Sequence, residues 1–409
     1  MLTQWFQPEK FYKGLSFAKE LTKRGHSVTV LTGFPNYPGG KVFPGYKITL
    51  LKKEIMEGIQ VVRVPLYPNH SSSKIGRIAN YLSFALSAAI LGPFVVKRPD
   101  LIYVYHPPAT SGMAGVVLKK IFRIPMVYDI QDLWPDTLSA TGMVNNKRIL
   151  SIVDKFCKII YKGTSHIVVL SPGFRARLVE RGVPSDKIDV IYNWSGAETI
   201  VNIPNQSDAS IESVFSNKFN IVFAGNLGKA QGLDNVLSAA AILMESHPQI
   251  QFIMIGSGID EDRLKNEADR MQLNNVKFLP SRDPEEMEII YRYSDVLLVH
   301  LKDDPLFSIT IPGKTQKSLL VGKPILMSVR GDAADLVKQA NAGICAEPGN
   351  PEELAEAAKI LYKMTSVQRQ QLGSNARTFY ENELKMDKGI DKFNRLFIRL
   401  NEVSKSNSK

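Results

Sequence analysis

Two α/β domains, each a doubly wound Rossmann-like parallel sheet, facing each other across a cleft, are the architecture that this sequence predicts. Three observations carry the prediction. Short apolar, β-rich runs alternate with helical patterns over nearly the whole chain, which is the signature of βαβ units. The alternation breaks once, in a polar stretch near the middle, and then restarts. At 409 residues the chain also exceeds the length of about 250 to 300 at which a single core usually stops growing.

In chain order, strands are expected at VTVLT (28–32), VVRV (61–64), LIYVY (101–105), PMVYDI (125–130) and HIVVL (166–170). A helix is expected over 14–24, where Leu15, Ala18 and Leu21 recur at helical spacing and Gly25 stops it. Before that helix a doubly wound domain should have a buried strand, yet only Met1 and Leu2 precede TQWFQPE, so the first strand reads as truncated. Residues 199–217 hold Pro204, Asn205, Ser207, Asp208 and Ser210 with no apolar period, which reads as a linker between a domain at 1–198 and a second at 218–380. The second series of strands is FNIVFAG, QFIMIGSG, VKFLP, DVLLVHL, PILMSV and AGICAEP. Asp283-Pro284-Glu285-Glu286 and Asn350-Pro351-Glu352-Glu353 each place a cap residue, a proline and acids at a helix start, a structural use of those carboxylates. Residues 381–409 are expected to form a helix returning to the first domain, followed from Val403 by a disordered tail.

Composition narrows the function. Hydrophobic residues make up 44% and charged residues 22%, an ordinary balance for a soluble globular protein. Cys157 and Cys345 lie far apart and outside any C-x-x-C pair, so neither a disulfide framework nor a metal site is expected, and a reducing cytoplasm fits. The net charge of +11 favours an anionic partner, but it is spread along the chain without a nucleic-acid motif, so a phosphorylated ligand or a membrane surface is preferred to nucleic acid. The opening MLTQWFQPEK has no signal-peptide pattern. The longest uncharged apolar run, Leu82 to Val96, is short of the roughly 20 residues that span a bilayer. With Lys74, Arg77, Lys97 and Arg98 beside it, the run reads either as a helix lying on a membrane surface or as a buried core helix.

Three motifs carry chemistry. After FNIVFA comes GNLGKAQG, in which Gly225, Gly228 and Gly232 are spaced as neither a dinucleotide fingerprint nor a Walker A loop. Loop amides, the helix that follows and Lys229 suit an anion such as a diphosphate; the same residues also suit a plain turn with a solvated lysine. In IPGKTQK the amides of Lys314 and Thr315 open a second helix, with the Lys314 ammonium nearby, unless Lys314, Lys317 and Lys323 only form a basic surface. Finally, YVYHPP and VYDIQDLWPD deliver His106, Asp129, Gln131 and Asp132 to one sheet edge, where polar groups can meet a sugar hydroxyl; Asp136 reads as a helix cap.

The order KGLSFAKELTKRGHSVTVLTGFPNYP, VYDIQDLWPD, VIYNWS, AGNLGKAQGLDNVLSAA, IMIGSGIDEDRLK and VGKPIL resembles the retaining glycosyltransferases of family 4, with the GT-B fold. It is most similar to bacterial enzymes of the colanic-acid, capsule and O-antigen type, including L-fucosaminyl transferases. The resemblance covers nearly the whole chain. It implies transfer of a sugar from a UDP-sugar to a lipid-linked glycan on a polyprenyl diphosphate, at the inner face of the cell membrane and without a metal or other cofactor. The diphosphate would lie on Gly225, Asn226, Gly228, Lys229, Gln231 and Gly232, and the nucleoside near Gly256, Ser257, Gly258 and residues 278–281, Pro280 among them. The acceptor would meet Gly14, Gln131 and Trp134 in the first domain, with Asp129, Asp132, His106 and Lys314 as catalytic groups.

The chain departs from the family pattern at three places. Asn226 and Gln231 stand where the phosphate loop usually has Arg and Lys, so positive charge has to come from Lys229 or Lys314. Ile309 and Lys317 replace the two acids before the G-x-P turn, which moves the ribose contact to Thr315 or Gln316. Gln131 replaces the usual His of the DIQD strand, shifting any proton transfer to Asp129, Asp132 or His106. Alternatives of other classes are a UDP-sugar 2-epimerase of the same fold and a non-catalytic member that binds a sugar nucleotide.

Overall fold

The computed structural model describes residues 1–9, 13–69, 74–195 and 209–406. It divides into two compact units, Met1–Tyr192 with Gly389–Lys409, and Asn193–Lys388.

The first unit holds β1 (Thr29–Gly33), β2 (Lys52–Met56), β3 (Ile59–Val64), β4 (Ile102–His106), β5 (Met126–Ile130), β6 (His166–Val169) and β7 (Ile188–Val190). Strands β4, β5, β6 and β7 pair in that order, all parallel; β1 pairs parallel with β3, and β2 closes the edge antiparallel. Met1 to Gln4 zips these two groups together. Leu2 N–H donates to Tyr103 O at 2.8 Å and Leu31 N–H to Met1 O at 2.8 Å, while Tyr105 N–H returns to Leu2 O at 3.0 Å. The few residues before TQWF thus occupy the central place of the sheet, where their neighbours on both sides supply the backbone partners.

The second unit is one six-stranded parallel sheet built from β8 (Phe219–Ala224), β9 (Ile250–Ile255), β10 (Val276–Leu279), β11 (Val296–His300), β12 (Ile325–Ser328) and β13 (Gly343–Cys345). Its order is β10-β9-β8-β11-β12-β13, so the winding reverses between β8 and β11. In open α/β sheets, ligands bind at the carboxyl ends of the strands flanking such a reversal. Strand β8 is buried on both faces because helices cover both: Phe219, Ile221 and Phe223 enter one core, Val222 the other. The punctuation read from sequence is present, with a capping box at Asp283 and Glu286 and the Asn350 side chain accepting from Glu353 N–H at 3.0 Å.

Three expectations differ from the structure. Residues 199–208 of the expected linker lie outside the described residues, but Ala209–Phe215 is a helix whose Ile211 and Phe215 are buried against the second sheet. Two apolar residues four apart were enough to dock a single turn-pair of helix that composition reads as polar. The tail does not end at Val403: the helix Met386–Ser406 runs through it, and residues 407–409 lie outside the described residues. Its Phe393 ring packs 5.2 Å from Phe17 and 5.6 Å from Tyr103, which places this helix on the first unit. Asp136 opens the short helix Asp136–Ala140 but forms no side-chain cap; it pairs with Arg181 and, at 3.2 Å, with Arg177.

Candidate active site

In the second unit the switch point is lined by the ends of β8 and β11. Gly225 follows β8 with φ of 140°, and a Cβ there would stand 2.7 Å from Lys314 Cε. The glycine therefore makes room for the lysine stem. Gly256, with φ of 147°, is tighter still: a Cβ would fall 1.9 Å from Gly225 O. The two glycines let the ends of β8 and β9 meet backbone to backbone, and Leu227 N–H donates to Ser257 O at 2.9 Å across the same seam.

Lys314 sits in the first turn of the helix Gly313–Val321. Its ammonium lies 3.6 Å from the centroid of the Phe223 ring and donates to Gln231 Oε1, and no carboxylate among the described residues pairs with it. Burial pulls its pKa down to about 7. His300, buried at the end of β11, fixes Gln231 in turn: its Nδ1 lies 2.6 Å from Gln231 O, so that nitrogen carries the proton, and Nε2 accepts from Asn235 Nδ2 at 3.1 Å. Burial holds His300 neutral, its pKa lowered to about 4. The result is a cation held by uncharged partners at the mouth of a helix start, an arrangement that leaves its charge available to an anion.

Lys229 is placed differently. It is exposed in a short turn, and its charge is felt by Asp260, whose carboxyl is held below its usual range first by Arg263 and more weakly by Lys229. Of the two lysines that the sequence offers, Lys314 is the one built into the strand ends.

Beside this loop is a cavity of about 440 Å³ lined by Gly225, Asn226, Gly256 and Ser257. Pro280 does not line it, whereas Ser281, the last residue of the expected 278–281 stretch, and Arg282 do. Arg282 Nη1 bonds Glu286 Oε1 at 3.0 Å, while its buried Nε has no partner among the described residues. Arg282 and Tyr291 were not legible as site residues: neither belongs to a glycine loop, and Tyr291 reaches the cavity from the interior of a helix. Lys317, standing where a carboxylate is usual, points its ammonium at the Tyr291 ring, 5.7 Å from the centroid. Thr315 Oγ1 and Gln316 Oε1 are buried without hydrogen-bond partners among the described residues, as groups awaiting a ligand hydroxyl would be. Gly228, Gly232 and Gly258 shape the loop backbone, with Gly258 packed against Leu227 O.

In the first unit the carboxyl edge of the sheet carries the other predicted group. Asp129 is wholly buried. Its Oδ2 receives Lys13 Nζ at 2.6 Å and the Tyr103 hydroxyl at 2.5 Å, and its Oδ1 receives Gln131 Nε2 at 2.5 Å. These contacts join the turn before the first helix to β4 and β5. Asp129 and Gln131 are thus tied into the protein's own interior, where Asp129 meets Lys13, a lysine invisible to strand-end reasoning.

His106 is buried as well, and burial alone pushes its pKa down to about 3. Its Nδ1 faces the Asp132 N–H at 3.5 Å, its Nε2 has no partner among the described residues, and Trp134 meets it edge-on with centroids 5.7 Å apart. A neutral imidazole whose Nδ1 faces a donor carries its proton on Nε2, so His106 serves as a hydrogen-bond donor sooner than as a base. Asp132, its pKa raised by burial, is the carboxyl at this edge without a described counter-ion. Gly14 precedes the helix Leu15–Lys23 and packs on Gln7, whose Oε1 accepts the Leu15 N–H at 2.8 Å. Glu9 went unread in the sequence: its buried carboxylate accepts from the amides of Asn36, Tyr37 and Phe6, and burial raises its pKa to about 7.

Two Rossmann-like units, the second with a glycine loop and a buried lysine at its switch point, define the two-domain glycosyltransferases of GT-B type. The chain belongs to the group 1 glycosyltransferases: residues 15–194 match the model of the glycosyl transferase 4-like domain, and residues 206–379 that of the glycosyl transferases group 1. It is 26% identical over 369 residues to the putative colanic acid biosynthesis glycosyl transferase WcaI of Escherichia coli, covering 86% of this chain and 88% of that one. The fold is shared with a sucrose-phosphate synthase from Thermosynechococcus elongatus, at 16% identity and a TM-score of 0.71, over 95% of this chain and 92% of that one. It is also shared with Anabaena HepE, solved in complex with UDP, at 16% identity and a TM-score of 0.60 over 100% and 98% of the two chains.

Proposed function

We propose that this glycosyltransferase takes its sugar, an N-acetylated amino sugar such as fucosamine, from a UDP-sugar and transfers it with retention to a lipid-linked glycan on a polyprenyl diphosphate. The product would enter a surface polysaccharide of the O-antigen or capsule kind. The protein would act in the cytoplasm, held peripherally at the inner face of the membrane. The observation that carries the donor half is Lys314, which no carboxylate among the described residues pairs with, set beside the glycine loop and a cavity large enough for a nucleoside. In this reading its ammonium meets the negative charge that develops on the leaving diphosphate, so the reaction needs no metal for that purpose. The leaving phosphate takes the acceptor proton, and Asp132 and the Nε2–H of His106 orient the acceptor hydroxyl. UDP is supported by HepE, and a polysaccharide product by the name of the Escherichia coli relative.

The test is a thermal-shift screen across UDP, GDP and their sugars. A ligand at 100 times its dissociation constant raises stability by roughly 2.7 kcal/mol, and UDP compounds should do so where GDP compounds do not. Equal shifts with both, or with neither, would overturn the donor assignment. Turnover of a UDP-sugar to its 2-epimer with no acceptor added would replace the transferase reading by the epimerase one. Because Lys229 is exposed, Lys229→Ala should change UDP affinity by no more than about fivefold in calorimetry.

A further inference from the structure

The helix Lys74–Val95 settles neither as a core helix nor as a purely solvated one. One face is buried in the first unit. Phe84, Ala85, Ala88 and Gly92 are covered, and a Cβ at Gly92 would stand 2.9 Å from Leu118 of the neighbouring helix Ala109–Phe122. Asn80 ties the same face down: it accepts from Gln4 Nε2 at 2.6 Å and donates to Tyr67 O at 2.7 Å.

The opposite face is open and entirely aliphatic or aromatic. Ile75, Ile78, Leu82, Leu86, Ile90 and Phe94 follow at intervals of three and four residues, which sets them along one side of the helix, and Ile75 and Phe94 are 80% and 85% exposed. Such a contiguous apolar stripe on a soluble protein marks a surface that something covers.

Charge identifies what covers it. No Asp or Glu occurs anywhere between Glu57 and Asp100. Exposed Lys97 and Arg98 stand just past the end of the stripe. The neighbouring helix, whose Leu118 touches Gly92, adds exposed Lys120 and Arg123 at that same end. An apolar stripe that contains no acid and ends among four exposed cations, against the single acid Asp100, complements a bilayer surface carrying anionic headgroups: the side chains enter the acyl boundary and the cations stay among the phosphates. The helix is long and apolar enough to cross a membrane by length and composition, but the packing of Asn80, Phe84 and Gly92 against the domain forbids surrounding it with lipid.

We propose that the exposed face of this helix is the protein's membrane-docking surface, lying in the plane of an anionic bilayer with Ile75, Leu82, Leu86, Ile90 and Phe94 inserted and Lys97 and Arg98 at the headgroups. This deepens the peripheral-membrane part of the function proposed above and rests on it.

The experiment is sedimentation of the full chain with phosphatidylglycerol-containing vesicles and with neutral phosphatidylcholine vesicles. It compares the wild type with a Leu86→Asp, Ile90→Asp double variant, whose sites are 61% and 62% exposed. The wild type should pellet with the anionic vesicles, and the double variant should bind them at least about tenfold more weakly at an unchanged melting temperature. Lys97→Glu with Arg98→Glu should weaken binding to the anionic vesicles and leave any binding to neutral ones as it was. If the double variant pellets as well as the wild type, the helix is not the docking face, although the peripheral-membrane reading survives. If the wild type binds neither vesicle, both fall. A wild type that ignores vesicles but self-associates with rising concentration, and a double variant that stays monomeric, would mean that a second copy of the chain covers the stripe and would also overturn the proposal.

Discussion

Lys314→Met, which keeps the length of the side chain and removes its charge, should weaken UDP binding by roughly 10- to 100-fold, the worth of one charge-assisted hydrogen bond to a phosphate. The pH dependence makes the prediction specific. In the free protein Lys314 titrates at about 7, because burial over the Phe223 ring disfavours the ammonium. A bound diphosphate restores the favour, so binding takes up a proton. Above pH 7 affinity should therefore fall by about tenfold per pH unit until the pKa of the complex is reached, while below pH 7 it should level off. The terminal phosphate, with a second ionisation near 6, adds no slope in that range.

The free protein should show the opposite trend. Between about pH 7 and 10.5 the unfolded chain keeps a proton on this lysine that the folded chain has lost, so this residue's contribution to stability rises with pH. Calorimetry of UDP binding at several pH values, with and without Lys314→Met, reads both effects. A wild-type affinity flat from pH 7 to 9, or a variant that binds as tightly as the wild type, would remove Lys314 from the donor site.

Asp129→Asn should lower stability by about 3 to 5 kcal/mol, because it strands the Lys13 ammonium in the interior with no counter-ion. At two to four degrees per kcal/mol for a unit of this size, the melting temperature of the first unit should drop by roughly 10 °C. Burial already pulls the Lys13 pKa down from its ordinary value, and Asp129 is the group that opposes that pull. Adding Lys13→Met to the variant should recover much of the loss, since an apolar side chain of similar length needs no partner. An Asp129→Asn protein that melts like the wild type yet fails to turn over would instead return Asp129 to the acceptor chemistry.

How far the sequence reaches is visible in particular residues. The strands of the second unit could be read directly, because runs such as FNIVFA and QFIMI are buried on both faces and carry one polar residue each, Asn220 and Gln251, near the start of the strand. KKEIM could not be, although it forms β2: an edge strand keeps its charges, so nothing in its composition separates it from a loop. Likewise, glycine spacing pointed to the loop after β8, since only glycine tolerates the backbone contact between Gly225 and Gly256. Arg282 and Tyr291 reach the same cavity from elsewhere in the chain, and no local pattern announces them.

Local periodicity, turn chemistry and caps are properties of neighbouring residues, and by themselves they determined the two α/β sheets, the position of the anion-friendly loop and the choice of two lysines for its charge. Which lysine, and what Asp129 does, depended on residues far apart in sequence: Phe223, Gln231 and His300 around Lys314, and Lys13 and Tyr103 around Asp129. Burial and pairing set the charge state of an ionisable group, and both arise only when the chain has folded. The tertiary structure alone therefore decided that Lys314 has no carboxylate partner among the described residues and that Asp129 already has a counter-ion.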